Sequence, residues 1–154
     1  MARPGFAIQT AGASTCSATT KRTLLVANST VDSFDITEIG VGFDATSSTG
    51  GQVFVELALL TNATTGTVTA QTPVQVRGIN YVTPLSSGRI NYTAEPTAFL
   101  LGRNWLVPMN GGLVIQFPLG REPGAIASTS AGSYALSVTA PSSVGCRAYM
   151  EFEI

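Results

Sequence analysis

Ser133-Tyr134-Ala135-Leu136-Ser137-Val138-Thr139-Ala140 and, beyond a Pro141-Ser142-Ser143-Val144-Gly145 break, Cys146-Arg147-Ala148-Tyr149-Met150-Glu151-Phe152-Glu153-Ile154 form the last stretch of the chain. Tyr134, Leu136, Val138 and Ala140 alternate with Ala135, Ser137 and Thr139, a period of two that turns one face to a core and the other outward. The second run repeats the pattern. Cys146, Ala148, Met150, Phe152 and Ile154 share the apolar face, and Arg147, Tyr149, Glu151 and Glu153 share the polar one. The two runs read as a β-hairpin with Cys146 as a small buried hydrophobe. No reactive residue type lies on either face, which points to a structural domain before an enzyme.

Working outward, strand signals recur every ten or so residues between Gly, Pro, Asn and Ser punctuation, the spacing of an all-β sandwich or barrel. Residues 6–11 and 22–27 are the first candidates. Over residues 33–43 the apolar positions move from even numbers (Phe34, Ile36) to odd ones (Ile39, Val41, Phe43), and a one-residue slip at Thr37-Glu38 predicts a β-bulge. Residues 44–51 read as a turn joining this strand to Gln52–Leu60 in a long hairpin. Because Phe54, Ala58 and Leu60 leave Glu56 alone as a charge on its second face, that strand is expected to be central or covered on both sides. Asn110-Gly111-Gly112 reads as a type I′ turn closing a hairpin between residues 105–109 and 113–117. Residues 61–96 hold only short strand-like pieces, at 67–71, 74–77 and 89–93. The predicted fold is all-β, a two-sheet antiparallel sandwich, jelly-roll-like, of about eight to ten strands. Residues 1–12 are expected to be an extended N-terminal arm and residues 13–154 a single sandwich domain. The Cys…Trp…Cys spacing of immunoglobulin domains is missing.

The chain of 154 residues is long enough for one core that buries about 70% of the unfolded surface. Charged residues make up only 11%, against about 25% in ordinary domains, and Ser, Thr and Gly take their place. Such a surface is expected where other subunits cover it, or on a Thr-rich β surface. The net charge is −1 and the basic residues Arg3, Lys21, Arg22, Arg77, Arg89, Arg103, Arg121 and Arg147 are scattered singly, so nucleic-acid binding lacks its electrostatic footprint. No apolar run reaches the length of a signal peptide or a membrane span, and a cytosolic place of synthesis and assembly is expected. In that setting Cys16 and Cys146 are expected to be free thiols, although they could pair in space.

Histidine is absent, which removes Ser-His-Asp and Cys-His catalysis and most zinc sites. No phosphate-binding glycine loop or dedicated calcium loop is present, and no cofactor is expected. Glu151 and Glu153 lie about 7 Å apart on one strand face, a spacing that two glycosidase carboxylates could use, but beside Arg147 they read as a solvated or interface face. Asp32, Asp35 and Glu38 match no calcium-loop spacing. Trp105, Tyr81, Tyr92 and Tyr149 could stack on a sugar, while a single Trp in an apolar strand more often supplies core. Asn28-Ser29-Thr30, Asn62-Ala63-Thr64 and Asn91-Tyr92-Thr93 match the N-glycosylation pattern and read as chance matches in a Ser/Thr-rich chain.

Trp105-Leu106-Val107-Pro108, Gly111-Gly112, Pro118-Leu119-Gly120-Arg121-Glu122-Pro123, Leu136-Ser137-Val138-Thr139-Ala140-Pro141 and Cys146-Arg147-Ala148-Tyr149-Met150 together resemble a family of small virion proteins of tailed bacteriophages. The resemblance covers about a third of the chain and includes no catalytic motif. It implies a non-enzymatic capsid decoration, or cement, protein: a jelly-roll-like homotrimer on the capsid exterior, assembled in the host cytoplasm, with the major capsid protein as its partner and neither nucleic acid nor membrane. The candidate capsid or subunit contacts are Arg3, Pro4 and Phe6 in the arm, Arg147, Tyr149 and Glu151 on the last strand, and the weakly patterned residues 61–96. A tail or head-fibre receptor-binding module and a carbohydrate-binding β-sandwich are the alternatives.

Overall fold

The computed structural model describes residues 3–16, 20–29, 31–61, 68–78, 86–96, 99–100, 102–125 and 132–154. Among them are thirteen strands, one 3-10 turn at Ser48–Gly50 and no α-helix. The strands are β1 (Gly5–Gln9), β2 (Ser14–Cys16), β3 (Arg22–Ser29), β4 (Phe34–Phe43), β5 (Gln52–Leu60), β6 (Thr69–Gln71), β7 (Val74–Arg77), β8 (Ser86–Ile90), β9 (Arg103–Pro108), β10 (Gly112–Gln116), β11 (Gly124–Ala125), β12 (Ser133–Thr139) and β13 (Val144–Glu153).

Two antiparallel sheets face each other. One runs β10-β4-β13-β1-β7, with β11 on β4 and β2 on β13, and the other runs β6-β8-β3-β12-β5-β9. Along the chain β3, β5, β9 and β12 fall in the six-stranded sheet, while β4, β10 and β13 fall in the seven-stranded one. The chain therefore changes sheet at β3–β4, β4–β5, β9–β10 and β12–β13. With β1 beside β13, this connectivity is the double Greek key of a jelly roll.

All three expected hairpins are corrected by this topology. β4 and β5, β9 and β10, and β12 and β13 each have the predicted alternation, but each pair is split between the sheets. Alternation reports which side of a strand is buried and is identical whether the next strand pairs beside it or lies across the core. A sheet-to-sheet step of about 10 Å is within reach of four linking residues. The expected type I′ turn is replaced accordingly. The Gly111 amide donates to the Pro108 carbonyl at 3.0 Å, so the turn is centred on Met109-Asn110, and neither Asn110 nor Gly111 has a positive φ.

The bulge is found where the phase slip put it. Glu151 pairs with Glu38 and Phe152 with Ile36, leaving Thr37 as the extra residue of β4. The slip lets Phe34 and Ile36 join Ile39 and Val41 on the inner face, where Phe152 packs on Phe34 and Phe6 with ring centroids 5.4 and 6.2 Å apart. Val53, Val55, Leu57, Leu136 and Val138 meet them from the other sheet.

Within the expected arm, the strand candidate at residues 6–11 is found as β1. β1 lies inside the seven-stranded sheet between β13 and β7, with Phe6 and Ile8 buried in the core, because its own alternation supplies the face that the sheet lacks there. The expected free thiols are likewise corrected: Cys16 and Cys146 form a disulfide. β2 lies along the first residues of β13, with Cys16 beside Val144 and Ser14 beside Cys146, which brings the two buried sulfurs together.

The outer side of the six-stranded sheet is covered in part by residues 91–96 and 99–100. Tyr92 inserts among Val26, Leu60 and Ala135, and burial pushes its phenol up to about 12. Glu95 accepts from the Thr23 amide and pairs with Arg22 at 3.4 Å, while the Lys21 ammonium sits 4.0 Å from the Phe99 ring centre and pairs with Glu56. This second layer accounts for the burial of Ala58 and Leu60 on the second face of β5. Gly102 at the start of β9 permits a close approach, since a Cβ there would stand 1.9 Å from the Leu57 carbonyl oxygen.

Candidate interaction face

The outer face of the seven-stranded sheet collects three of the six candidate residues, Arg147, Tyr149 and Glu151, in three cross-strand rows. Arg147 lies beside Gly42 with Gly112 beyond it, Tyr149 beside Gly40 with Val114 beyond it, and Glu151 beside Glu38 with Gln116 beyond it. Successive rows are about 6.6 Å apart along the strands. The face thus has a cation at one end, an aromatic middle and carboxylates at the other end.

At the acidic end Glu38 is held by two neighbours. The Tyr149 hydroxyl donates to Oε1, and Gln116 Nε2 donates to Oε2 at 2.7 Å. These two hydrogen bonds, with a smaller contribution from Arg77, keep the Glu38 carboxyl below its ordinary range against the opposing effect of burial. The same bond pushes the Tyr149 phenol up to about 12, with burial and the charges of Glu38 and Glu151 adding to it. Gly40 makes the arrangement possible. A Cβ at Gly40 would stand 2.1 Å from the Tyr149 ring, so the ring lies flat over bare backbone.

Arg77 pairs with Glu153 at 3.0 Å and donates to Thr37 Oγ1 at 3.3 Å. With Gln116, Leu119, Glu122 and Glu151 these groups border an open cleft of about 420 Å³. Leu119 stands at its rim, 95% exposed, at the tip of a turn in which the Arg121 amide donates to the Pro118 carbonyl at 2.9 Å. Gly120, at φ 80°, supplies the left-handed position that a type II turn needs. At the other end a recess of about 430 Å³ is bordered by Gln9, Gly40, Gly42, Val114, Arg147 and Tyr149.

Of the residues singled out in the sequence, Arg147, Tyr149 and Glu151 share this face, Arg147 exposed and the other two half-buried. Arg3 pairs with Asp35, which stands opposite Glu153 beyond the acidic end, and the half-buried Pro4 accepts from the Ile154 amide at 3.3 Å. Phe6 cannot be a surface contact, because it is 0% exposed inside the core. Trp105 is half-buried against the core and Tyr92 is buried, so neither joins Tyr149, and Tyr81 lies outside the described residues. Asn28 is a half-buried strand residue whose side-chain oxygen accepts from Ser133, and Asn62-Ala63-Thr64 lies outside the described residues. Gly40, Gly42, Gln116 and Leu119 also belong to this face and match no functional motif in the sequence. Two glycines at alternate positions of one strand, against β-propensity, were the available signal.

Chemically the face can hydrogen-bond and pair charges. Among the described residues no three Asp, Glu or Cys side chains are grouped to hold a metal ion.

The Glu38 bond makes a pH-dependent prediction. A carboxyl whose pKa is lowered on folding contributes stability above its unfolded value, near 4.5, that is lost as pH falls through the lower folded value. Tyr149→Phe should therefore narrow the difference in unfolding free energy between pH 7 and pH 3. The change should be about 1 kcal/mol or less, because solvent screens a half-open pair. Urea titrations at the two pH values check it, and an unchanged difference would show that the bond contributes nothing.

No protein-family model matches the chain, and no curated protein matches it. One solved structure, described as "Structure of infectious bursal disease virus Gx strain", aligns at 15% identity with a TM-score of 0.15, over 97% of this chain. The chain spans 39% of the length of that protein, and a likeness this weak carries no argument.

Proposed function

We propose that the chain is a non-enzymatic structural protein of a virus particle, a decoration protein that binds the outside of a phage capsid and stabilises the lattice as a trimer. The observation that carries this reading is the double-Greek-key sandwich, an architecture used by viral capsid and lectin domains, with a broad polar face open on one sheet. The charge-poor composition and the resemblance of residues 105–108, 118–123 and 146–150 to phage virion proteins support it. A buried disulfide also suits a protein that works outside the cell, on a particle surface.

The mechanism is additive binding. A trimer presents three copies of one weak site to a symmetric lattice point, so the second and third contacts are intramolecular and raise avidity by about 10²–10⁴. A seam bridged in this way opens only when its decorations release. Purified protein mixed with heads that lack it should occupy lattice sites to a fixed stoichiometry, read by sedimentation and electron microscopy. Absence of binding to heads, combined with binding to glycans or host cells, would overturn the reading in favour of a carbohydrate- or receptor-binding module.

A further inference from the structure

Among the described residues nothing crowds Gly42 or requires a glycine there. It lies in the middle of β4, on the outer face, its φ is not positive, and nothing lies within 4 Å of where a Cβ would stand. A strand loses β-propensity at such a glycine and gains only a bare floor, which is useful where another molecule approaches the backbone. Arg147 stands exposed beside that floor and makes no ion pair among the described residues. Two rows away, about 13 Å along the strands, Glu151 likewise has no ion-pair partner among the described residues. Leu119 projects beside Glu151 and Glu122 at that end, too far from the recess of its own chain to fill it.

We propose that the occupant of the Gly42 recess is a second copy of this chain, placed so that its Leu119 tip enters the recess and its Glu151 end meets Arg147. The two ends of one face are complementary in shape and in charge. A projecting apolar side chain meets a glycine-floored hollow, and carboxylates meet an isolated guanidinium, which suits bidentate pairing. Val114, 64% exposed, and the Tyr149 ring lie between the two ends and supply the apolar middle that interfaces favour. Head-to-tail repetition of this contact closes a trimer where each copy is turned by a third of a circle from the last, and a two-fold arrangement makes the contact twice. The proposal rests on the proposed function for its trimer and names the surface that joins the copies; self-association is read on the isolated chain, and occupancy of capsid sites is read separately.

Sedimentation velocity of the full chain over a concentration series tests it. The wild type should self-associate, and Gly42→Val and Leu119→Ser should each weaken association by about tenfold or more. Arg147→Glu and Glu151→Arg should each do the same, and the double swap should restore association to within about threefold of wild type, because exchanging both charges re-creates the pair. Gly42→Val has open space above it, and its thermal unfolding should match wild type; should it fold poorly, Leu119→Ser in an exposed turn gives the reading. A wild type that stays monomeric at about 1 mM, or Gly42→Val and Leu119→Ser chains that associate as the wild type does, would overturn the proposal.

Discussion

Removing residues 1–10 is expected to abolish cooperative folding. β1 is an interior strand, so its loss leaves the edges of β13 and β7 unpaired and takes Phe6 and Ile8 out of the core. In the intact chain Phe6→Ala alone should lower stability by about 3–5 kcal/mol, the range for truncating a buried phenylalanine and leaving a cavity beside Phe152. Domains have only about 5–15 kcal/mol in total, so the deletion, which removes more than this one ring, exceeds what the fold can lose. Circular dichroism and a urea titration of both variants check the prediction. A truncated chain with a sharp transition near the wild-type midpoint would mean that β1 is dispensable.

Reduction of the Cys16–Cys146 disulfide should be the second large effect. The bridge joins positions 130 residues apart, and closing a loop of that length removes enough chain entropy from the unfolded state to stabilise the fold by about 5 kcal/mol. Both sulfurs are buried behind β2, so reductant should act slowly on the native protein and quickly once it is unfolded. Comparing denaturant midpoints of oxidised protein, reduced protein and a Cys16→Ala, Cys146→Ala double variant measures the effect. A difference below about 1 kcal/mol would mean that the unfolded chain is already constrained near these residues.

The readable parts of the fold share one property: each depends on which side of a strand meets the core. The inward set Cys146, Ala148, Met150 and Phe152, the bulge at Thr37 and the double covering of β5 were all written in local alternation. The strand at residues 6–11 is legible in the alternation of Phe6 and Ile8, but its place inside a sheet is not, since a short run looks the same at an edge or in a gap. The cysteines were misread because their meeting depends on β2 finding the start of β13, which no spacing encodes. Of the candidate face, Arg147, Tyr149 and Glu151 were legible as one side of one strand. Glu38 and Gln116 were not, since Glu38 meets Tyr149 only through pairing of β4 with β13, and Gln116 meets Glu38 only through pairing of β4 with β10.

By itself, then, the sequence determined strand content and the inward and outward faces, because burial of alternate side chains is a local consequence of where apolar residues fall. Only the tertiary structure decided that consecutive strands part to opposite sheets, that β1 completes one of them, that two distant cysteines join, and that Gly42 and Leu119 stand at opposite ends of one face. The physical reason is that backbone hydrogen bonds are the same for every residue and hydrophobic burial has no direction. Partner choice therefore belongs to the packing of the whole chain rather than to any one strand.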